Sequence, residues 1–166
     1  MRTETYEKVW YTYDELSESA QENARAKHNQ FEWESGWMQE SMQLIADGIL
    51  EDAGLSMASD LTYSLYTQGG YPKFATTGPF EYGGVTYKLV TNTSRWGGDI
   101  ELFYPDDEWR DDVPVGAQVA AEQFIVNLSR KMYEAFIAED EYISSDEAFR
   151  ETAEANDWEF DEEGNL

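Results

Sequence analysis

The chain has no cysteine and a single histidine, His28, among its 166 residues. Disulfides and Cys-based zinc sites are therefore excluded. Ser/His/Asp or Cys/His machinery would rest on one imidazole, and nothing like G-x-S-x-G accompanies it. Basic residues are scarce: 11 Lys and Arg oppose 35 Asp and Glu, a formal charge of -24. Such an excess opposes compactness through self-repulsion. No apolar run approaches the roughly 18 residues that span a bilayer. The opening MRTETYEKVWYTY lacks the apolar core of a signal peptide. An anionic membrane surface or a phosphate backbone would repel the chain. The expectation is a cytoplasmic protein with no cofactor, no membrane association and no direct nucleic-acid binding.

Apolar residues make up 41% of the chain and aromatics 15%, too many for an acidic disordered segment. The length suits one domain, residues 1–166, with a real core. EKVWYTY (7–13) is β-branched and aromatic and predicts a first strand. The next stretch, 13–34, predicts a helix with Asp14 or Ser17 as N-cap and Leu16, Ala20, Ala24, His28 and Phe31 on one face. Gly36 breaks it. A second helix carries Trp37, Met38, Ser41, Leu44, Ile45, Ile49 and Leu50 as its apolar stripe, with Gly54 at its C′ position.

From 57 to 104 the period changes. MASDLTYSLYTQ alternates, with Leu61, Tyr63 and Leu65 on one face. Gly83-Gly84 between PFEY and VTYKLV is a hairpin signal. TSRWGGD predicts a turn, and IELFY another strand. A long helix follows over about 115–139, with Val119, Phe124, Leu128, Met132 and Phe136 toward the core. A last helix, about 145–155, opens with Ser144 and Glu147 spaced as a capping box. The fold expected is α+β: a three- to four-stranded antiparallel sheet, helices on one of its faces, and a short C-terminal hairpin.

Motifs for chemistry are few. TQGGYPKF (67–74) is glycine-rich, but no G-K-[ST] or helix follows, so it is not a P-loop. DWEFDEEGNL spaces acids like the start of an EF-hand loop, yet Glu162 stands where glycine is required and the chain ends before the twelfth position. His28, on an apolar helix face, is read as structural. Carboxylate pairs arise by chance among so many acids, and sequence carries no separation that would mark a hydrolase dyad. No enzymatic activity is expected.

The acids are concentrated. Residues 101–112 hold six with only Arg110, and 140–166 hold eleven with only Arg150. Others lie at Glu32, Glu34 and Glu40. Duplex DNA carries one charge per about 1.7 Å, so twenty-four charges correspond to about 40 Å of duplex, comparable to a compact domain of this length. Asp106, Asp107, Glu108, Asp111 and Asp112 form one candidate partner-binding patch. Asp140, Glu141, Asp146, Glu147, Asp157, Glu159, Asp161, Glu162 and Glu163 form the other, with Trp109 and Trp158 as aromatic anchors beside them. In NDWEFDEEG, Trp158 and Phe160 alternate with acids, so buried rings would hold carboxylates outward on a fixed frame. The other reading of that stretch is an edge hairpin whose acids discourage strand pairing.

YTYDELSESAQENARAKH, LTYSLYTQGGYPKF and SSDEAFRETAEANDWEFDEEGNL together resemble a set of small acidic phage and prophage proteins. Their shared features are a D-E-L-S-x-x-A-Q-x-x-A helix after a strand, a strand ending in Q-G, and an A-N-aromatic-acid ending. The likeness touches the start, middle and end of the chain in order. Where that set often reads Q-G-D-G, this chain has Gln68, Gly69, Gly70 and Tyr71. The resemblance implies a mobile-element protein acting inside a bacterium and supplies no catalytic residue. By analogy of class, it points to an anti-CRISPR or antirestriction DNA mimic that occupies the basic nucleic-acid-binding surface of a host CRISPR effector or restriction enzyme. The alternatives are an adaptor or antitoxin-like module binding through its sheet and Tyr71 and Phe74 of the 67–74 loop, a carboxylate-based enzyme, and a surface adapted to salt.

Overall fold

The structure, a computed structural model, describes residues 8–57, 61–66, 71–91, 100–104 and 112–166, the side chains of 31–35 and 37 apart. A 3-10 turn at Tyr13–Glu15 precedes α1 (Glu18–Ser35) and α2 (Trp37–Asp52). Four strands follow, β1 (Ser56–Met57), β2 (Thr76–Tyr82), β3 (Val85–Thr91) and β4 (Ile100–Phe103), then α3 (Val115–Ile143) and α4 (Asp146–Ala155). The fold is α+β. Its contacts divide into two compact units: residues 39–137, and residues 1–38 with 138–166.

In the first unit the strands pair antiparallel in the order β1-β2-β3-β4. Gly83 and Gly84 both take positive φ, 59° and 81°, and close a two-residue hairpin with Tyr82 opposite Val85. β3 alternates: Tyr87, Leu89 and Thr91 are buried while Thr86 and Lys88 are exposed. Tyr87, Leu89 and Leu102 pack on Ala117 and Ala121, so α3 covers this face of the sheet with small residues that allow close approach. Two buried threonines are satisfied at its margin. The Thr91 hydroxyl accepts from the Thr76 amide at 2.9 Å and donates to the Phe74 carbonyl at 3.3 Å. The Thr76 hydroxyl donates to the Ser56 carbonyl at 2.7 Å.

α2 ends as expected. The Gly54 and Leu55 amides donate to the carbonyls of Glu51 and Leu50, with Gly54 at φ 74°, a Schellman closure. Its buried stripe is Met38, Met42, Ala46, Ile49 and Leu50, and Leu44 is 74% exposed. Leu44 lies about 200° around the helix from Met42, since each residue advances about 100°. Val119, 57% exposed, is displaced in the same way from the buried Ala117 and Ala121 of α3. The described residues of the alternating 57–68 stretch, 57 and 61–66, form no long strand. Among its described residues, Met57 ends β1, Thr62 bridges to Lys73, and Tyr66 at φ 60° leaves the extended region. The TSRWGGD turn lies outside the described residues.

In the second unit Tyr13, Leu16, Ala20 and Ala24 pack with Phe149, Ala153 and Phe160. Over the described residues 8–13, the strand expected at 7–13 is one bridge, Tyr11 with Phe160. The Glu15 carboxylate takes the Thr12 amide at 2.8 Å, which turns the chain into the 3-10 turn and ends the pairing. Asp14 sits inside that turn, and Ser17 caps α1, its hydroxyl accepting from the Ala20 amide at 3.3 Å. Gly36, at φ 79°, ends α1. α4 is capped by Ser145, whose hydroxyl accepts from the Ala148 amide at 3.1 Å, rather than by Ser144. The residue three beyond the cap is then alanine, so no capping box forms. The C-terminal hairpin is replaced by the Tyr11–Phe160 bridge and a turn over 161–165.

Candidate acidic binding surface

α4 buries Phe149 and Ala153 and turns Glu147, Glu151 and Glu154 outward. The chain then reverses. The Trp158 amide donates to the Ala153 carbonyl at 2.9 Å, and Asp157 takes φ 51°, a left-handed conformation that Asp tolerates better than most residues. Phe160 follows into the core at 1% exposure, with Trp158 half-buried against the same cluster. The alternation read from sequence thus anchors the tail through its rings and leaves Asp157 and Glu159 exposed.

Beyond Phe160 the tail is fixed by polar contacts. Asp161, partly exposed, is engaged by its own turn. Its carboxylate accepts from the Asn165 amide side chain at 2.9 Å, the Asn165 backbone at 2.9 Å and the Glu163 backbone at 3.1 Å. The Asn165 side chain is the main reason its carboxyl is held below the usual range. Asn23 of α1 donates to the Glu163 carbonyl at 2.6 Å, and Lys27 donates to the Asn165 side-chain oxygen. Gly164 crosses the Ala20 carbonyl so closely that a Cβ there would lie 2.2 Å from the oxygen. Glu162 and Glu163 consequently project as exposed side chains from a tethered backbone.

Asp146, partly exposed, is engaged within this unit. It accepts from the Tyr13 hydroxyl at 2.6 Å, Arg25 at 2.8 Å and Arg150 at 3.1 Å. Arg150 also reaches Asp14 at 2.8 Å. Asp140 is buried, 8% exposed, on α3. Glu141 and Glu147 are exposed, as is Asp112 in the other unit. Asp106, Asp107, Glu108, Trp109 and Asp111 lie outside the described residues.

The proposed second patch therefore divides. Glu141, Glu147, Asp157, Glu159, Glu162 and Glu163 face solvent, whereas Asp140, Asp146 and Asp161 are buried or engaged within the fold. Of the exposed acids that the sequence reading left aside, two reach a recess here. Asp14 and Glu154 line, with Asp157, Glu159, Arg150 and Trp158, a recess of about 370 Å³ between the 3-10 turn, α4 and the tail. Glu154 was legible, because 147, 151 and 154 repeat by four and three on one helical face. Asp14 reaches the recess only through tertiary packing.

The described Lys and Arg side chains of this unit each have a contact within it. Lys8 lies 4.0 Å from the Trp10 ring centroid, Arg25 and Arg150 bind Asp146, and Lys27 binds Asn165. In the other unit Tyr71 is 49% exposed and packs edge-on against Tyr133, but Phe74 is buried at 5%, so it offers nothing to a partner. Among the described residues no helix is long and apolar enough to cross a membrane. Among them, too, no group of three or more His, Asp or Glu is placed to hold a metal ion. No protein-family model, no curated protein and no solved structure matches the chain.

Proposed function

We propose that this protein is a phage-encoded inhibitor of a bacterial defence system, a non-enzymatic acidic mimic that occupies the nucleic-acid-binding surface of the effector. A CRISPR effector is the first partner to seek and a restriction enzyme the second. The observation that carries this reading is the tethered tail: exposed carboxylates at 157, 159, 162 and 163 stand on backbone held by a buried ring and by α1. A fixed row of carboxylates meets Lys and Arg without the ordering entropy that a floppy acidic tail loses on binding. Basic channels grip DNA chiefly by such charge pairing, so binding should weaken steeply with salt.

The test is a pull-down from the bacterial host with tagged protein, eluted in a salt gradient, followed by competition with duplex DNA. Replacing Glu147, Asp157, Glu159, Glu162 and Glu163 with Gln or Asn should weaken capture by several tenfold steps and flatten its salt dependence while the melting curve persists. Equal capture by that variant, or a partner with no basic groove, defeats the mimic reading.

A further inference from the structure

Trp158 also lines a second cavity, of about 450 Å³, with different walls. Ala24 of α1, Phe149 of α4 and Phe160 of the tail line it, with His28 and Trp158. The rings brace one another: His28 meets Phe149 and Trp158 edge-on at centroid distances of 5.2 and 5.3 Å. Phe149 lies 6.0 Å from Trp158 and 6.2 Å from Phe160. Such contacts fix the walls, and the volume falls in the range of small-ligand and side-chain pockets, about 300–1,000 Å³. The polar lining includes Lys27, which is exposed, and Asn165.

We infer that this cavity is the anchor socket of the acidic surface, taking one bulky apolar side chain (aromatic, Leu or Met) from a protein segment in which Lys or Arg flank that residue. The inference rests on the partner being basic, as proposed above, and adds what the partner inserts. The tail that supplies Trp158, Phe160 and Asn165 to the walls also carries exposed Glu159, Glu162 and Glu163. Those carboxylates stand within two residues of the lining Trp158, Phe160 and Gly164, so basic flanks are the complementary choice for a segment whose apolar residue enters here. Lys27 retains ammonium donors beyond its bond to Asn165 and would meet a main-chain carbonyl of the segment. A neutral small molecule leaves the carboxylates unused. A second copy of this chain brings a formal charge of -24 against the same sign. Buried apolar anchors ringed by polar contacts carry most of the energy at such interfaces.

Fluorescently labelled peptides test this in anisotropy titrations: Phe between lysines, its Ala analogue, and a Phe peptide with Gln flanks. The Phe peptide should bind about tenfold tighter than the Ala analogue, the scale of one anchor residue. That ratio should persist at about 0.5 M salt while both affinities fall, because screening acts on the charges and not on the anchor. Gln flanks should weaken binding. Trp158→Ala and His28→Ala should bring the Phe/Ala ratio toward one, with circular dichroism melts confirming the fold. Should Trp158→Ala unfold, His28→Ala still reads the ratio. Hydrogen exchange on the wild-type protein reads it independently: the Phe peptide, and not the Ala analogue, should protect residues 24–28 and 158–165. Equal, salt-sensitive binding of Phe and Ala peptides overturns the socket and leaves the acidic surface standing. Equal binding with Lys and Gln flanks overturns the basic partner segment. Three further results overturn the socket: no peptide binding, uptake of indole without Phe/Ala discrimination, or self-association lost in His28→Ala. In those cases the DNA competition above judges the acidic surface on its own.

Discussion

Asp146 shows how a single carboxylate can be withdrawn from a surface that its neighbours dominate. Its oxygens take Tyr13, Arg25 and Arg150, and the pairs are partly exposed, so each ion pair alone contributes little. The Tyr13 hydroxyl is different, because its ring is buried. Burial first, and then the hydrogen bond to Asp146, push its ionisation up to about 12 from 10.0. A raised folded value means that the neutral phenol is favoured in the fold. Its stabilisation is complete below pH 10, where the unfolded chain also keeps the proton. It is lost as pH climbs toward the folded value. Urea unfolding between about pH 10 and 12 should therefore show wild-type stability falling more steeply than that of Tyr13→Phe. Parallel slopes would mean that Tyr13 ionises as in an open chain.

At the scale of elements, adjacent serines before α4 give a clean discrimination. Ser145 accepts from the Ala148 amide, so Ser145→Ala should cost about 1 kcal/mol, within the roughly 0.5–2 kcal/mol range of N-cap losses. Ser144→Ala should stay within about 0.5 kcal/mol, as surface changes do. Equal losses in urea melts would return the cap to Ser144. Local chemistry made several boundaries legible in the sequence: Ser17 at the start of α1, Gly36 at its end, Gly54 in the Schellman closure and Gly83-Gly84 in the hairpin. Each depends on residues within one turn. Other features depend on distant chain. Nothing near Tyr11 shows that its one partner is Phe160, and nothing near Gly164 shows that it must cross Ala20. Leu44 and Val119 were misplaced because a hydrophobic residue two positions off a stripe points to the opposite side. The same division holds for the acids. The outward face of α4 was readable from its period, whereas the roles of Asp140 and Asp146 were not, since burial and long-range pairing are tertiary facts; Asp161 is held locally, by Asn165 and the Glu163 amide.

For the whole molecule, the formal charge of -24 has two competing explanations, and stability against salt separates them. Self-repulsion among exposed carboxylates should be relieved as the Debye length falls to about 10 Å at 0.1 M salt. The partly exposed ion pairs that hold Arg25 and Arg150 lose part of their smaller contribution under the same screening. Urea midpoints, measured with urea because guanidinium chloride is itself a salt, should rise from very low salt to about 0.2 M and then level off, since screening at about 3 Å in 1 M salt leaves little repulsion to remove. That plateau is expected of a fold stable at ordinary ionic strength, as the proposed charge pairing with a partner requires. A midpoint still climbing steeply toward molar salt would mean that the acids depend on concentrated ions for the fold itself. The charge would then belong to salt adaptation, and a salt-released complex with a basic partner would no longer be its explanation.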